Sequence, residues 1–382
     1  MSERIEPFAI AVPEAELDEL RRRLARTRWP DAVVGDWSDG TDLAYLREIA
    51  DYWREGFDWR RAEARLNAIP QVRVDCGGLR VHALHLRGTG PSPLPLIVTH
   101  GWPGSVVEML DILPRLADPG AFGGDPADAF HLVVPSLPGY GFSDRPRAPG
   151  TNVQAIARLW LELMSALGYE RFGAQGGDWG AGVSTQLGIF APERLVGVHL
   201  NYVLRAYLPK RREPLDYDGE ERAYFEDSDA FFREEGAYSH QHATRPQSLA
   251  YGLNDSPAGL AAWILEKFRR WSDCDGRLEN AFRRDDLLAN VSLYWFTQTI
   301  ASSIRLYRER ELRPATPPPH APGVPYGIAA FPKELPMPPR RLVERAFRVT
   351  RYERLPRGGH FAAMEQPELL ANEIRAFFRP LR

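Results

Sequence analysis

The sequence predicts an α/β protein: a mostly parallel sheet flanked by helices, with a helical insertion late in the chain and a helical segment in front. Three observations predict it. Continuous apolar runs bounded by turns ("LPLIVTHG", "FHLVVPSLPG", "RFGAQGG", "RLVGVHLN") read as strands buried on both faces. Helical stretches such as "NVQAIARLWLELMSALG" separate several of them, as parallel crossovers require. Between about residues 204 and 312 no such run occurs and the pattern is helical.

Residues 1–70 read as a helical accessory segment. "PEAELDELRRRLARTRWP" has proline in its first turn, sets Leu17, Leu20 and Leu24 on one face and stops before Pro30. "DLAYLREIADYWREGFDWRRAEARLNAIP" repeats the pattern with Leu43, Leu46, Ile49, Tyr52 and Trp53 inward, so both stripes are packing surfaces against a larger body. Residues 71–203 open with the alternating runs "QVRVDC" and "LRVHALHLRG", a hairpin of half-buried strands, and continue as the first part of the core. Residues 204–312 form the helical lid, including "DSPAGLAAWILEKFRRW", which Asp255 or Ser256 can cap with Pro257 in the first turn. Residues 313–382 return to the core with "VPYGIAAFPKEL", "YERLPRGGH" and a last helix, after the proline-rich connector "PATPPPHAPG". No internal repeat is present.

Composition narrows the function classes. The 382 residues are 44% hydrophobic and 26% charged with a net charge of −3, which excludes an electrostatic case for nucleic acid or an anionic membrane. The basic residues are nearly all arginine, with only Lys210, Lys267 and Lys333 besides, a mark of coding composition rather than of a binding surface. Cys76 and Cys274 are isolated, so neither a disulfide framework nor a paired-cysteine metal site is expected. "MSERIEPFAI" lacks a basic and then apolar leader, and no run of about 18 apolar residues occurs. A cytoplasmic protein without a membrane anchor is expected.

"AQGGDWGAG" carries the chemistry. Gly176, Gly177, Asp178, Trp179 and Gly180 fit the G-x-nucleophile-x-G turn, which exposes one side chain on a strained elbow between strand and helix. It falls after the fifth core strand, and the lid lies between the sixth and seventh, as in an α/β-hydrolase. That fold orders its triad as nucleophile, acid, histidine. His360, in the glycine-rich "RGGHFAAMEQP", is the histidine. Glu334, the only carboxylate between residues 314 and 343, is the acid; the other site this fold uses, after the sixth strand, holds the uncharged Asn201. "THGWPGS" presents the backbone N–H of Trp102 to the elbow, and the N–H of Trp179 completes an oxyanion hole. Of the remaining histidines, His131 and His199 read as satisfied core residues. His240 and His242 read as solvated lid residues rather than metal ligands.

Aspartate on the elbow has a chemical reason. Serine attacking an sp³ carbon would form an ether that water does not readily cleave. A carboxylate forms an ester whose carbonyl lies in the oxyanion hole, and a His–Glu pair can activate water against it. The expected substrates are alkylating ones, epoxides or alkyl halides.

Long motifs in order ("TRWPD", "HGWPGS", "PSLPGYGFSD", "QGGDWG", "LNDSPAGLAAWILEKF", "DDLLANVSLYW", "FPKE", "RGGHFAAMEQPELL") span nearly the whole chain. In them the sequence resembles the epoxide hydrolase family of the microsomal and juvenile-hormone type, with its N-terminal accessory domain. The resemblance implies Asp178 as nucleophile, His360 as general base and Glu334 as its charge partner. It also draws two acids from "GAYSHQHATRP" and "SIRLYRE", Tyr238 and Tyr307. It implies hydrolysis of an epoxide to a vicinal diol, with no cofactor and no metal, in detoxification or in natural-product tailoring, enediynes among the products. The animal relatives carry a membrane anchor in front of the accessory domain, with which this chain begins.

A haloalkane dehalogenase shares the aspartyl-ester logic and is the alternative. A halide leaves as a stable anion, whereas an opened epoxide must be protonated, and phenols with pKa about 10 suit that task. A non-catalytic binding protein of this fold is the other class, disfavoured because no triad member is missing. Trp102, Trp179, Tyr140 and Phe142 suggest an aromatic-lined pocket for a small apolar or aromatic epoxide; a homodimer is compatible with this reading.

Overall fold

The computed structural model describes residues 4–209, 217–314 and 323–382. A nine-stranded sheet runs in the order β1-β2-β3-β5-β4-β6-β7-β8-β9. Its strands are β1 (Ile5–Phe8), β2 (Gln71–Cys76), β3 (Leu79–Leu86), β4 (Leu94–Thr99), β5 (Phe130–Pro135), β6 (Phe172–Gly176), β7 (Leu195–Leu200), β8 (Tyr326–Ala330) and β9 (Val349–Arg354). The pairs β1–β2, β2–β3 and β3–β5 are antiparallel, and every other pair is parallel. The predicted hairpin turns at Gly77 and Gly78, both at positive φ. Every residue of β6, β7 and β8 is buried, which is why these strands read as apolar runs without alternation.

The helix Val153–Ala166 covers one face of the sheet with Ile156, Trp160 and Leu163. Pro367–Phe378 covers the other with Ile374, Phe377 and Phe378. The elbow follows β6, the fifth strand after the accessory segment, and the lid lies between β7 and β8. Loops after β4, β6, β8 and β9 converge beyond the carboxyl ends of the parallel strands, where open α/β sheets bind ligands.

The accessory segment is not wholly helical. Its first described element is β1, which extends the sheet beside β2. Four residues including Pro7 are too few to show an alternating pattern, and proline is tolerated there because β1 is an edge strand. The helices Glu14–Ala25, Leu43–Glu55 and Trp59–Asn67 bury the expected Leu17, Leu20, Leu24, Leu46, Ile49 and Trp53. The second stripe breaks at Gly56, after which Asp58 accepts hydrogen bonds from the N–H groups of Arg60 and Arg61. These helices grip the lid: Trp53 Nε1 donates to Ser292 Oγ (2.8 Å), Arg65 pairs with Asp286 and Arg23 with Asp255.

The lid helices are Gly219–Glu235, Ala237–Thr244, Pro246–Asp255, Pro257–Trp271, Arg284–Thr297 and Ile300–Leu312. Ser256, not Asp255, caps the fourth by accepting from Gly259 N–H. The last two read as one run in sequence but part at Gln298, which is left-handed at φ 49°. Most of the proline-rich stretch lies outside the described residues. Among the described residues no helix is long and apolar enough to cross a membrane.

Candidate active site

Asp178 begins the helix Asp178–Phe190 and has φ 47°, the left-handed region that a non-glycine residue enters at a cost. The glycines around it allow this. A Cβ on Gly180 would overlap the carbonyl oxygen of Thr99 in β4, and one on Gly176 would overlap the backbone of Gly180. Helix and strand therefore touch backbone to backbone, and the aspartate is lifted between them. A Cβ on Gly101 would overlap the Asp178 carboxylate, so the loop after β4 also closes on it. Trp102 N–H donates to Asp178 Oδ1 (2.8 Å), and the N–H of Trp179 bonds the same carboxylate.

His360 stands in the loop after β9. Gly358 there has φ 105°, and a Cβ on Gly359 would overlap the carbonyl oxygen of Trp271. The loop is pinned to the lid by His360 N–H donating to that carbonyl (2.9 Å) and by the imidazole meeting the Trp271 ring at 5.2 Å. His360 Nδ1 lies 2.5 Å from Glu334 Oε1, and Nε2 lies 3.6 Å from Asp178 Oδ2. Glu334 is fully buried after β8 and also accepts from Leu335 N–H (2.7 Å). Asn201 accepts from Gln175 Nε2 (2.8 Å) and lies against Gly177.

Burial and charge compete here. Burial by itself would hold His360 low, but the carboxylates of Glu334 and Asp178 outweigh it and raise its pKa to about 9. Burial raises Asp178 above the usual carboxylate range, with His360 and the two backbone N–H groups pulling the other way. Burial likewise raises Glu334 against the pull of His360.

Tyr238, on Ala237–Thr244, and Tyr307, on Ile300–Leu312, hang from the lid over this floor. Tyr238 stacks on Trp102 (5.6 Å, 9°), while Tyr307 meets Trp102 at 5.8 Å and Trp179 at 4.7 Å, both edge-on. The two phenols are hydrogen-bonded to each other. Burial raises both pKa values, and the Asp178 charge adds to it, so both stay protonated and can act as acids.

Tyr140 is buried and donates to Ser303 O (3.1 Å). Phe142 is not in this group. The turn at Gly141 carries it to the antiparallel end of the sheet, 5.2 Å from Phe8 and 5.5 Å from His82. His242 is not solvated, although its helix reads polar. It is fully buried, accepts from Trp263 Nε1 (3.0 Å), and meets Trp102 and Tyr307 edge-on. His240 is exposed. His199 is buried in β7 with neither ring nitrogen hydrogen-bonded, whereas His131 is half-buried and accepts from Gly88 N–H. Burial pushes His242 and His199 down to about 3, so both are neutral.

Three further residues escaped the sequence reading. Arg310 lies over the Tyr307 and Trp179 rings (5.4 and 5.6 Å), and its spacing from Tyr307, one helical turn, was an available signal. Lys267 lies 5.0 Å over the Tyr238 ring, and its rarity in an arginine-rich chain was the only hint. Glu108 is buried behind Asp178 with no sequence signal, since a carboxylate in a short turn reads as solvated. Among the described residues no three His, Cys, Asp or Glu side chains gather as metal ligands would.

Sheet order, elbow and lid define an α/β-hydrolase, and the model of that fold matches residues 94–276. The model described as the epoxide hydrolase N terminus matches residues 5–109. The chain is 47% identical to an epoxide hydrolase homologue of Stigmatella aurantiaca, over 99% of this chain and 86% of that one. It is 38% identical to epoxide hydrolase 1 of Oryctolagus cuniculus, over 98% and 89% respectively. The juvenile hormone epoxide hydrolase of Bombyx mori superposes with a TM-score of 0.89 at 30% identity, covering 99% of this chain and 95% of that one. The Aspergillus niger epoxide hydrolase gives 0.86 at 31% identity, with 99% and 96% covered. The chain belongs to the epoxide hydrolase family.

Proposed function

We propose that this epoxide hydrolase opens a small apolar or aromatic epoxide to a vicinal diol through an ester on Asp178. The observation that carries the reading is one carboxylate bonded by the backbone N–H groups of Trp102 and Trp179, with His360 backed by Glu334 on one side and two protonated phenols above. In the first step the Asp178 carboxylate attacks a ring carbon, the C–O bond breaks, and the departing oxygen takes a proton from Tyr238 or Tyr307. In the second step His360 Nε2 takes a proton from water, whose oxygen bonds to Asp178 Cγ while the two N–H groups hold the oxyanion. Collapse breaks the bond from Cγ to the alkyl oxygen, which receives the proton from His360. The carboxylic acid left on Asp178 returns its proton to the tyrosinate, so the sum is epoxide plus water to diol.

The paired phenols favour epoxides over haloalkanes, because a halide needs no proton. The proposed organisation is accessory segment 1–70, core 71–203 and 313–382, and lid 204–312, in a cytoplasmic protein. Detoxification and pathway tailoring are separated by the genes alongside, since a biosynthetic cluster would assign a dedicated substrate. The direct test is turnover of styrene oxide to its diol with and without chelator. Equal diol formation is expected. Chloride release from haloalkanes with no epoxide turnover would overturn the reading.

A further inference from the structure

A second polar pocket lies behind the nucleophile, on the side away from the lid tyrosines. It is a cavity of about 20 Å³ bordered by Asp178, His360, Glu108, Asn201 and His100. Neither Tyr238 nor Tyr307 reaches it. A water needs roughly 10–15 Å³ and two to four polar partners, so the cavity accommodates one. Its position matches what ester hydrolysis requires. His360 Nε2 and Asp178 Oδ2 are 3.6 Å apart, too long for a direct hydrogen bond, and both residues border the cavity, so a water seated in it lies beside the pair.

Among the side chains here that the two proposed steps do not use, Glu108 is the carboxyl group. It is 8% exposed, and its carboxylate lies where a side chain on Gly104 would be, so residue 104 is confined to glycine while Glu108 holds this place. The N–H of Ser105 fixes the carboxylate from behind. The groups that face it are His360, Asp178, Glu365 and the Tyr294 phenol. Burial raises its pKa to about 8, against the pull of His360 and of the Ser105 N–H. At neutral pH it is a carboxylic acid that both donates and accepts, and it places no negative charge beside the developing oxyanion.

We propose that this cavity is the seat of the hydrolytic water and that Glu108 is a positioning residue that orients it for attack on Asp178 Cγ. The inference rests on the aspartyl-ester reading. His360 can accept only one of the water's protons; Glu108 fixes the other O–H and a lone pair, so the remaining lone pair faces the ester carbon. Alkylation does not involve this water and should not depend on Glu108.

The test is rapid-quench intact-protein mass spectrometry with styrene oxide, on the full chain, comparing wild type, Glu108→Leu, Glu108→Gln and His360→Gln. Glu108→Leu should form the Asp178 ester at the wild-type rate and lose it on the order of 10²-fold more slowly. Glu108→Gln, which still donates and accepts, should recover most of that rate. Glu108→Met serves the same comparison if the leucine variant does not fold. Ester loss at the wild-type rate in the apolar variant overturns the proposal. So does an equal slowing of both steps, which would mark Glu108 as structural, or a glutamine variant as slow as the leucine one. If His360→Gln traps the ester and Glu108→Leu does not, this inference alone fails; if His360→Gln carries no ester, the reading beneath it fails.

Discussion

His360 is held by Glu334 at 2.5 Å on one nitrogen and stands 3.6 Å from Asp178 on the other. The asymmetry bears on the timing of the base. With Asp178 ionised, Glu334 and Asp178 flank the imidazole and raise its pKa to about 9, so at neutral pH it is an imidazolium. An imidazolium cannot accept a proton from water. In the proposed mechanism, esterification would remove the charge on Asp178 and with it one of the supports of that raised pKa, so the base form would appear once there is an ester to cleave.

Separate pH dependences for the two steps follow. Alkylation needs the Asp178 carboxylate, whose pKa burial raises above the usual aspartate range, so its rate should fall on the acid side with a midpoint above that of an ordinary aspartate. Ester hydrolysis needs neutral His360, so its rate should rise with pH and level off at a midpoint below about 9, because the esterified Asp178 no longer supports the imidazolium. Single-turnover quench-flow across pH measures both. A hydrolysis midpoint at or above that of the free enzyme would contradict the coupling.

His360→Gln should separate the half-reactions. The carboxylate keeps its N–H partners and the phenols above it, so alkylation proceeds, but nothing takes the proton from water. One substrate equivalent should accumulate per chain on the peptide that contains Asp178, while Asp178→Asn should show no adduct. Intact-protein mass spectrometry with peptide mapping reads this. An unmodified His360→Gln variant that still binds substrate would point to direct attack of water on the epoxide.

The tyrosines should act on alkylation alone. Their rings are locked by Trp102 and Trp179, so Tyr→Phe removes a hydroxyl with little change of shape. Either single change should slow alkylation, and the double change should cost about 10²–10⁴-fold. Decay of preformed ester should be unaffected. A double variant that alkylates at the wild-type rate would reduce both residues to packing.

Much of this was legible because it is local. The elbow, the HGWP turn and the glycine-rich loop before His360 each need particular backbone freedom at adjacent residues, and adjacency is what a sequence displays. Glu334 could be named because no competing carboxylate lies nearby in the chain. Glu108 and His242 were missed for one reason: their surroundings come from segments far apart in sequence, and a polar residue in a short turn or polar helix gives no sign that a lid will cover it. Phe142 failed in the opposite direction. It neighbours Tyr140 in sequence, yet Gly141 turns the two into different layers. The β1 strand was hidden because a four-residue edge strand with a proline is shorter than the period that would reveal it.

The elbow itself yields a stability prediction. Gly180 is tolerated in a helix, where alanine is normally better by about 1 kcal/mol, because its Cα faces the Thr99 carbonyl oxygen of β4. Gly180→Ala should therefore reverse the usual helix preference. The added methyl has no space, the helix must move off the strand, and overpacking of this kind typically costs about 1–3 kcal/mol. Gly219→Ala is the internal control, since it lies in the first turn of a lid helix and a Cβ there meets nothing within 4 Å. It should change stability by no more than about 0.5 kcal/mol. Thermal melts of the two variants beside wild type make the comparison. Because Asp178 begins the same helix, Gly180→Ala should also slow alkylation at temperatures where it remains folded. A Gly180→Ala protein as stable and as fast as wild type would show that the close approach of helix and strand does not fix the nucleophile.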